Sequence, residues 1–157
     1  MSSALRVAAL AIAAAASQSA ARAAGAAPAD TRASVDQAAL HRQECGACHT
    51  AFAPRLLPPA SWNALMNDLP HHFGTDASVE PATRRTLTSW LVSQGSAGRA
   101  RPENDRITRS GWFRSEHSEL PAGVWSRPSI KSPSNCGACH ARADSGAFNE
   151  HDVRIPR

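Results

Sequence analysis

Cys45-Gly46-Ala47-Cys48-His49 and Cys136-Gly137-Ala138-Cys139-His140 are the same five letters, used twice, and together they take all four cysteines of the chain. Two thiols three residues apart can add to the two vinyl groups of one porphyrin, and the imidazole of the next residue can reach its iron. On one helical turn, positions i, i+3 and i+4 share a face, so the geometry needs no distant sequence. Paired C-x-x-C motifs of a structural zinc site usually lie about 15 to 20 residues apart, whereas 87 residues separate Cys48 from Cys136. A redox dithiol or a small disulfide requires no histidine after each second cysteine. The reading is therefore two covalently held c-type haems, with Cys45, Cys48, Cys136 and Cys139 as attachment points and His49 and His140 as proximal iron ligands.

A second axial ligand must come from elsewhere. Met66 is the one methionine beyond Met1, and it falls on an apolar stripe with Trp62, Leu65 and Leu69, which favours space filling over ligation. His41, one turn before Cys45, is too close in sequence to cross to the opposite haem face and reads as packing. In Pro70-His71-His72-Phe73-Gly74 the proline ends a helix and the glycine permits a sharp turn, so an imidazole projects from a helix end. Adjacent side chains diverge by about 100 degrees, so one of His71 and His72 is the candidate distal ligand of the first haem. His117 shares a helical face with Phe113 and is the candidate for the second haem; it precedes His140 by 23 residues, as His72 follows His49 by 23. His151, between Glu150 and Asp152, reads as a surface residue held in reserve.

The elements that must carry these groups are short. Ser34 is a candidate cap for a helix from about Val35 to Ala47. Phe52 to Pro59 reads as an extended turn. Ser61 is a candidate cap for a helix from Trp62 to about Leu69, and Asp76 or Ser78 for a third that buries Leu87, Trp90 and Leu91 and stops at Gly95. Gly95 to Asp105 reads as a linker. A short amphipathic segment, Ser110 to His117, precedes a loop from Pro121 to Ser134, in which Trp125 is a candidate lid over the second porphyrin. Phe148 and Ile155 anchor the tail. The fold class is mainly α: few short helices and long loops wrapped around two covalent c-type haems in two small lobes. Its divisions are residues 25–33 as a flexible terminus, 34–94 as the first haem lobe, 95–105 as the linker and 106–157 as the second haem lobe. With 11 prolines and 9 glycines the polypeptide has a thin core of its own, and an apoprotein is expected to be mostly unfolded.

Residues 1–24 read as a signal peptide: Arg6, an apolar run from Val7 to Ala16, and small residues around Ala21 to Ala24. The run is too short for a membrane span, so none is expected after cleavage. Those residues carry two arginines and no acid, so removing them lowers the formal charge from +4 to +2, with 13 acidic residues left to balance the remaining base. Four ionised propionates would make the holoprotein mildly acidic, and scattered arginines without interleaved stacking aromatics give no reason to expect nucleic acid.

The chain resembles the exported bacterial dihaem cytochromes c, the DHC family, from about Leu40 to Pro156. The resemblance is carried by Glu44 to His49, Leu56-Leu57-Pro58, Ser61-Trp62, Leu65-Met66, His72-Phe73-Gly74, Phe113 to His117, Cys136 to His140, Gly146-Ala147-Phe148 and Ile155-Pro156. Pro70 and His41 depart from the family pattern. The resemblance implies two low-spin bis-histidine haems in separate lobes, with His72 chosen over His71, in a periplasmic electron-transfer protein. It also implies other cytochromes as partners, among them an oxygen-binding monohaem cytochrome c and a membrane b-type cytochrome. With both irons closed, the chemistry left is outer-sphere electron transfer and not catalysis. The rival is a small haem enzyme or gas-binding haem protein with one five-coordinate iron.

Overall fold

A computed structural model describes residues 29–157, with side chains from residue 37 onward. The signal-peptide reading of residues 1–24 lies outside the described residues. As the pattern predicts, the protein is mainly helical, with four α-helices, several single 3-10 turns and long loops among the described residues. Among the described residues pairing is confined to two isolated bridges, His72 with Thr75 and His140 with Val153.

Helix α1 (Ala29–Cys45) starts before the expected Ser34 cap; the stretch from Ala29 to Ala39 is alanine-rich and free of glycine and proline, so nothing in it favours a later start. Helix α2 (Pro59–Asn67) and helix α3 (Pro81–Gln94) also begin away from the expected serine and aspartate caps. Each opens on a proline at its first position, where a missing N–H costs no hydrogen bond and the fixed φ suits the helix. Ser61 is instead inside α2 and fully buried, while Asp76 accepts a hydrogen bond from Ser78 N at 2.9 Å in the turn before α3. Helix α4 (Gly111–Glu116) does have a side-chain cap: the Ser110 hydroxyl accepts from Phe113 N at 3.2 Å.

The stripes at helical spacing become a core. Leu57, Trp62, Met66 and Leu69 pack against Leu87, Trp90 and Leu91, with Ala38, Leu40, Phe52 and Leu65 around them. Met66 is buried there. Trp62 keeps its indole proton satisfied by donating to the Pro54 carbonyl at 2.6 Å. The 106–157 stretch has much less: Phe113, Val124, Ile130 and Ala143 are its buried apolar residues.

The two stretches touch. Ile107 packs on the first core, the Arg106 guanidinium lies 4.1 Å over the Phe73 ring, and Arg55 Nη2 donates to the Gly146 carbonyl at 2.6 Å. The segment 95–105 is irregular but fastened, with Ser96 N donating to the Leu57 carbonyl at 3.0 Å and Arg101 paired to Asp105 at 2.7 Å.

His41 is 4% exposed, with its ring 5.3 Å from that of Trp90. Burial, then the charges of His49 and Arg42, push its pKa down to about 4. An unfolded histidine binds a proton near pH 6.5, so the unfolded state takes up protons that the folded state refuses. Stability is therefore lost as the pH falls from about 6.5 towards 4. His41→Phe is expected to remove that slope and to raise stability at pH 5 by about 2 kcal/mol relative to the parent, less any packing cost. Denaturant titrations of both proteins at pH 5 and pH 7 check it; parallel stabilities at the two pH values would contradict it.

Candidate haem sites

The first motif straddles the end of α1. Cys45 is the last helical residue, and the turn after it is closed by Gly46 N donating to the Arg42 carbonyl at 2.9 Å. A Cβ at Gly46 would overlap that carbonyl oxygen, so the position accepts only glycine without a backbone shift, whereas Gly137 faces open space. The second motif is itself a 3-10 turn, Cys136–Ala138, and His140 N donates to the Cys136 carbonyl at 2.8 Å. It is held from the tail by Arg154 N, which donates to the Cys139 carbonyl at 2.9 Å.

His49 stands opposite His72. The two ring centres are 6.1 Å apart and the planes 21° from parallel. His49 Nδ1 lies 2.7 Å from the Thr50 carbonyl; a carbonyl only accepts, so Nδ1 carries the proton and Nε2 keeps its lone pair. A 3-10 turn, Leu69–His71, delivers His72, and the chain then reverses through Phe73 and Gly74, at φ 51° and 97°. Asparagine and glycine tolerate that left-handed region and phenylalanine does not, so the reversal is imposed by its surroundings. His71 points away, exposed and 2.7 Å from the Asp68 carboxylate. That hydrogen bond and charge raise its pKa, whereas burial lowers that of His72.

His117 stands opposite His140 with ring centres 6.2 Å apart and planes at 80°. Its Nδ1 donates to the Phe113 carbonyl at 2.8 Å, and its ring stacks on Phe113 at 4.1 Å. Trp125 approaches His117 at 5.7 Å, and Phe148 meets His140 edge-on at 5.2 Å. Burial, then the His117 charge, lowers the His140 pKa. His151 is exposed in the turn Glu150–Asp152 and joins neither pair.

These spacings fit a metal between each pair. An imidazole nitrogen binds a metal at about 2 Å and lies about 1 Å from its ring centre, so two rings on one metal have centres about 6 Å apart. Rings stacked face to face come closer, as Phe113 and His117 do at 4.1 Å. The His72 ring also has a buried Nδ1 with no hydrogen-bond partner, a state that a bound group at the site could relieve. All four cysteines are free thiols. Burial, then Glu44 and Cys48, raise the Cys45 pKa to about 11, and burial also raises those of Cys136 and Cys139. Among the described residues no group of three or more His, Cys, Asp and Glu side chains could hold a metal ion by itself. A cleft of about 400 Å³ runs along Cys48, His49 and Thr50, with Asp144 also in its wall.

The sequence reading missed the carbonyls of Thr50 and Phe113 and the approach of Asp144. Only the Phe113 carbonyl had a signal, four residues before His117 on one helix.

No match was found among curated protein sequences. The dihaem cytochrome c family profile matches residues 41–148. A dihaem cytochrome type c from Shewanella baltica OS155 superposes with a TM-score of 0.69 at 35% identity, over 76% of this chain and 94% of that one. Two structures of dihaem cytochrome c from Rhodobacter sphaeroides superpose with TM-scores of 0.63, at 42% and 40% identity, over 70% of this chain and 96% and 95% of theirs. With two haem-attachment pentapeptides, two imidazole pairs at metal-spanning distance and these matches, the chain belongs to the dihaem cytochrome c family: it is an electron-transfer cytochrome with two covalently bound c-type haems.

Proposed function

We propose that this protein is an exported electron carrier in which each iron is closed on both faces by histidine. Cys45 and Cys48 attach the first haem and Cys136 and Cys139 the second. His49 with His72, and His117 with His140, would hold the two irons. The observation that carries this reading is the nearly equal spacing, 6.1 and 6.2 Å, of two imidazole pairs that are otherwise unrelated in local structure. When bound, each haem supplies a one-electron couple, and histidine in place of an axial methionine favours a low potential.

The chain supplies orientation and protection. The Thr50 and Phe113 carbonyls fix the tautomers of His49 and His117, which strengthens both as donors. Burial keeps His72 and His140 neutral at pH 7, so protons compete poorly for the nitrogens that bind iron. With no open position the protein exchanges electrons with other redox proteins, for which other cytochromes, an oxygen-binding monohaem cytochrome c and a membrane b-type cytochrome among them, are the proposed partners. Periplasmic residence rests on the leader at residues 1–24, and no helix among the described residues is long and apolar enough to cross a membrane.

The ring planes make the test specific. Nearly parallel rings (21°) lift the degeneracy of the two iron d orbitals that overlap them, and nearly perpendicular rings (80°) leave it almost intact. The oxidised protein is expected to show two low-spin electron paramagnetic resonance signals, one rhombic and one strongly anisotropic, and the reduced protein to bind no carbon monoxide at pH 7. A high-spin signal with stoichiometric carbon monoxide uptake would favour the five-coordinate enzyme or gas-binding reading instead.

A further inference from the structure

Where the two lobes meet, Arg55, Arg99 and Trp112, from distant parts of the chain, are linked by a run of contacts that includes no acid. The Arg99 guanidinium lies 4.5 Å over the Trp112 ring, and its Nε donates to the Arg55 carbonyl at 3.1 Å. Arg55 in turn reaches the Gly146 carbonyl at 2.6 Å, with Gly146 held at φ 72° and its missing Cβ facing the Arg55 guanidinium. Among the described residues neither arginine has a carboxylate partner; the ion pairs formed are those of His71, Arg101, Arg109 and Arg142. The Trp112 indole nitrogen is buried and has no hydrogen-bond partner. A buried donor without an acceptor is costly and rare, and Trp62 in the same protein has its acceptor.

The position of the cluster says which anion would complete it. Arg55 follows His49 by six residues, Trp112 precedes His117 by five, and Gly146 follows His140 by six. Arg55, Trp112 and the Gly146 carbonyl therefore belong to segments that hold ligands of both irons, with Arg99 bridging two of them, and the carboxylates that such segments must accommodate are the haem propionates. A guanidinium stacked on an indole presents its N–H edge beside the indole N–H, which suits a planar carboxylate.

We propose that Arg55, Arg99 and the Trp112 indole N–H form a clamp for one haem propionate at the seam between the lobes, and that it sets the potential of that haem. The clamp rests on the two-haem reading above. A fixed cation favours the less positive, reduced iron, so losing it favours the oxidised form. The indole N–H acts on the carboxylate itself and holds it ionised.

The test is a spectroelectrochemical titration of the full holoprotein that resolves both haems. Arg99→Gln is expected to move one haem's reduction equilibrium about three- to tenfold towards the oxidised form at fixed ambient potential, tenfold being 59 mV for one electron. Arg99→Lys, which keeps the charge, is expected to recover most of the shift. Trp112→Phe keeps a ring under Arg99 but lacks the N–H, and is expected to make the potential of that same haem more dependent on pH between 5 and 8, because its propionate now takes up a proton there. Equilibria unchanged within twofold in Arg99→Gln, or an effect of Trp112→Phe confined to the other haem, would overturn the clamp. Haem count by mass and low-spin spectra of the same samples report on the carrier reading separately.

Discussion

Alanine at both Cys136 and Cys139 is expected to unfold residues 106–157, while alanine at both Cys45 and Cys48 costs a haem but leaves most of the helix content in place. The asymmetry follows from what residues 37–94 and 106–157 each bury without a porphyrin. The first has Leu57, Trp62, Met66, Leu69, Leu87, Trp90 and Leu91 in one cluster, each contributing about 1.5–3 kcal/mol by leaving water. The second has Phe113, Val124, Ile130 and Ala143, one six-residue helix, and turns whose order depends on one another. Isolated helices that short do not persist in water, so the second haem must supply the missing apolar surface, as a structural metal does for a small domain. Each double variant should be one haem lighter by mass. Limited proteolysis should then cut the Cys136/Cys139 variant within residues 106–157, and circular dichroism should show the Cys45/Cys48 variant still melting cooperatively. Equal protease sensitivity of the two would show that the first core does not stand on its own. This expectation revises the one drawn from composition, by which the whole apoprotein is mostly unfolded: counts of proline and glycine do not reveal that the apolar residues are concentrated in one half.

The chemistry of this chain was legible because it is local, and its geometry was not because it is tertiary. Two pentapeptides name the cofactor, and the spacing of Phe113 and His117 announces one ring stacked on another. The pair His71 and His72 could be narrowed by the divergence of adjacent side chains and by resemblance. What separates them in the structure is the turn around Pro70, which leaves His71 beside Asp68 in water and His72 opposite His49. Helix starts were misread at Ser61 and Ser78 because serine side chains are good caps in general but lose to a proline already set at the first helical position, and at Ser34 because the alanine-rich stretch before it continues the helix. The identical letters Gly46 and Gly137 have unlike tolerances because one ends a 17-residue helix and the other lies in a three-residue turn. No pattern in five residues could say so. The angles of 21° and 80° between ring planes likewise depend on how far-apart segments meet.

Alanine at His72 and alanine at His117 are each expected to turn one haem, and a different one, from low-spin to high-spin. On the proposed bis-histidine reading, losing either His72 or His117 leaves the thioethers and the proximal histidine in place and opens a single coordination position. Each reduced variant should then bind about one equivalent of carbon monoxide per chain, where the parent binds none. The two differ in which signal disappears. His72→Ala removes the rhombic signal of the nearly parallel pair, and His117→Ala removes the strongly anisotropic signal of the nearly perpendicular pair. The variants should also differ in how well added imidazole restores them. At the first site the freed space adjoins a cleft of about 450 Å³ lined by Leu65, His71 and Phe73, so imidazole should enter readily. At the second, the Phe113 and Trp125 rings that flanked His117 remain, and they can close over the gap and slow its entry. His71→Ala is the control. Its ring is 81% exposed and paired with Asp68, so removing it should leave both signals and the carbon monoxide result as in the parent. If His71→Ala opened an iron and His72→Ala did not, the pairing of His49 with His72 would be wrong, and with it the assignment of parallel ligand planes to the first haem.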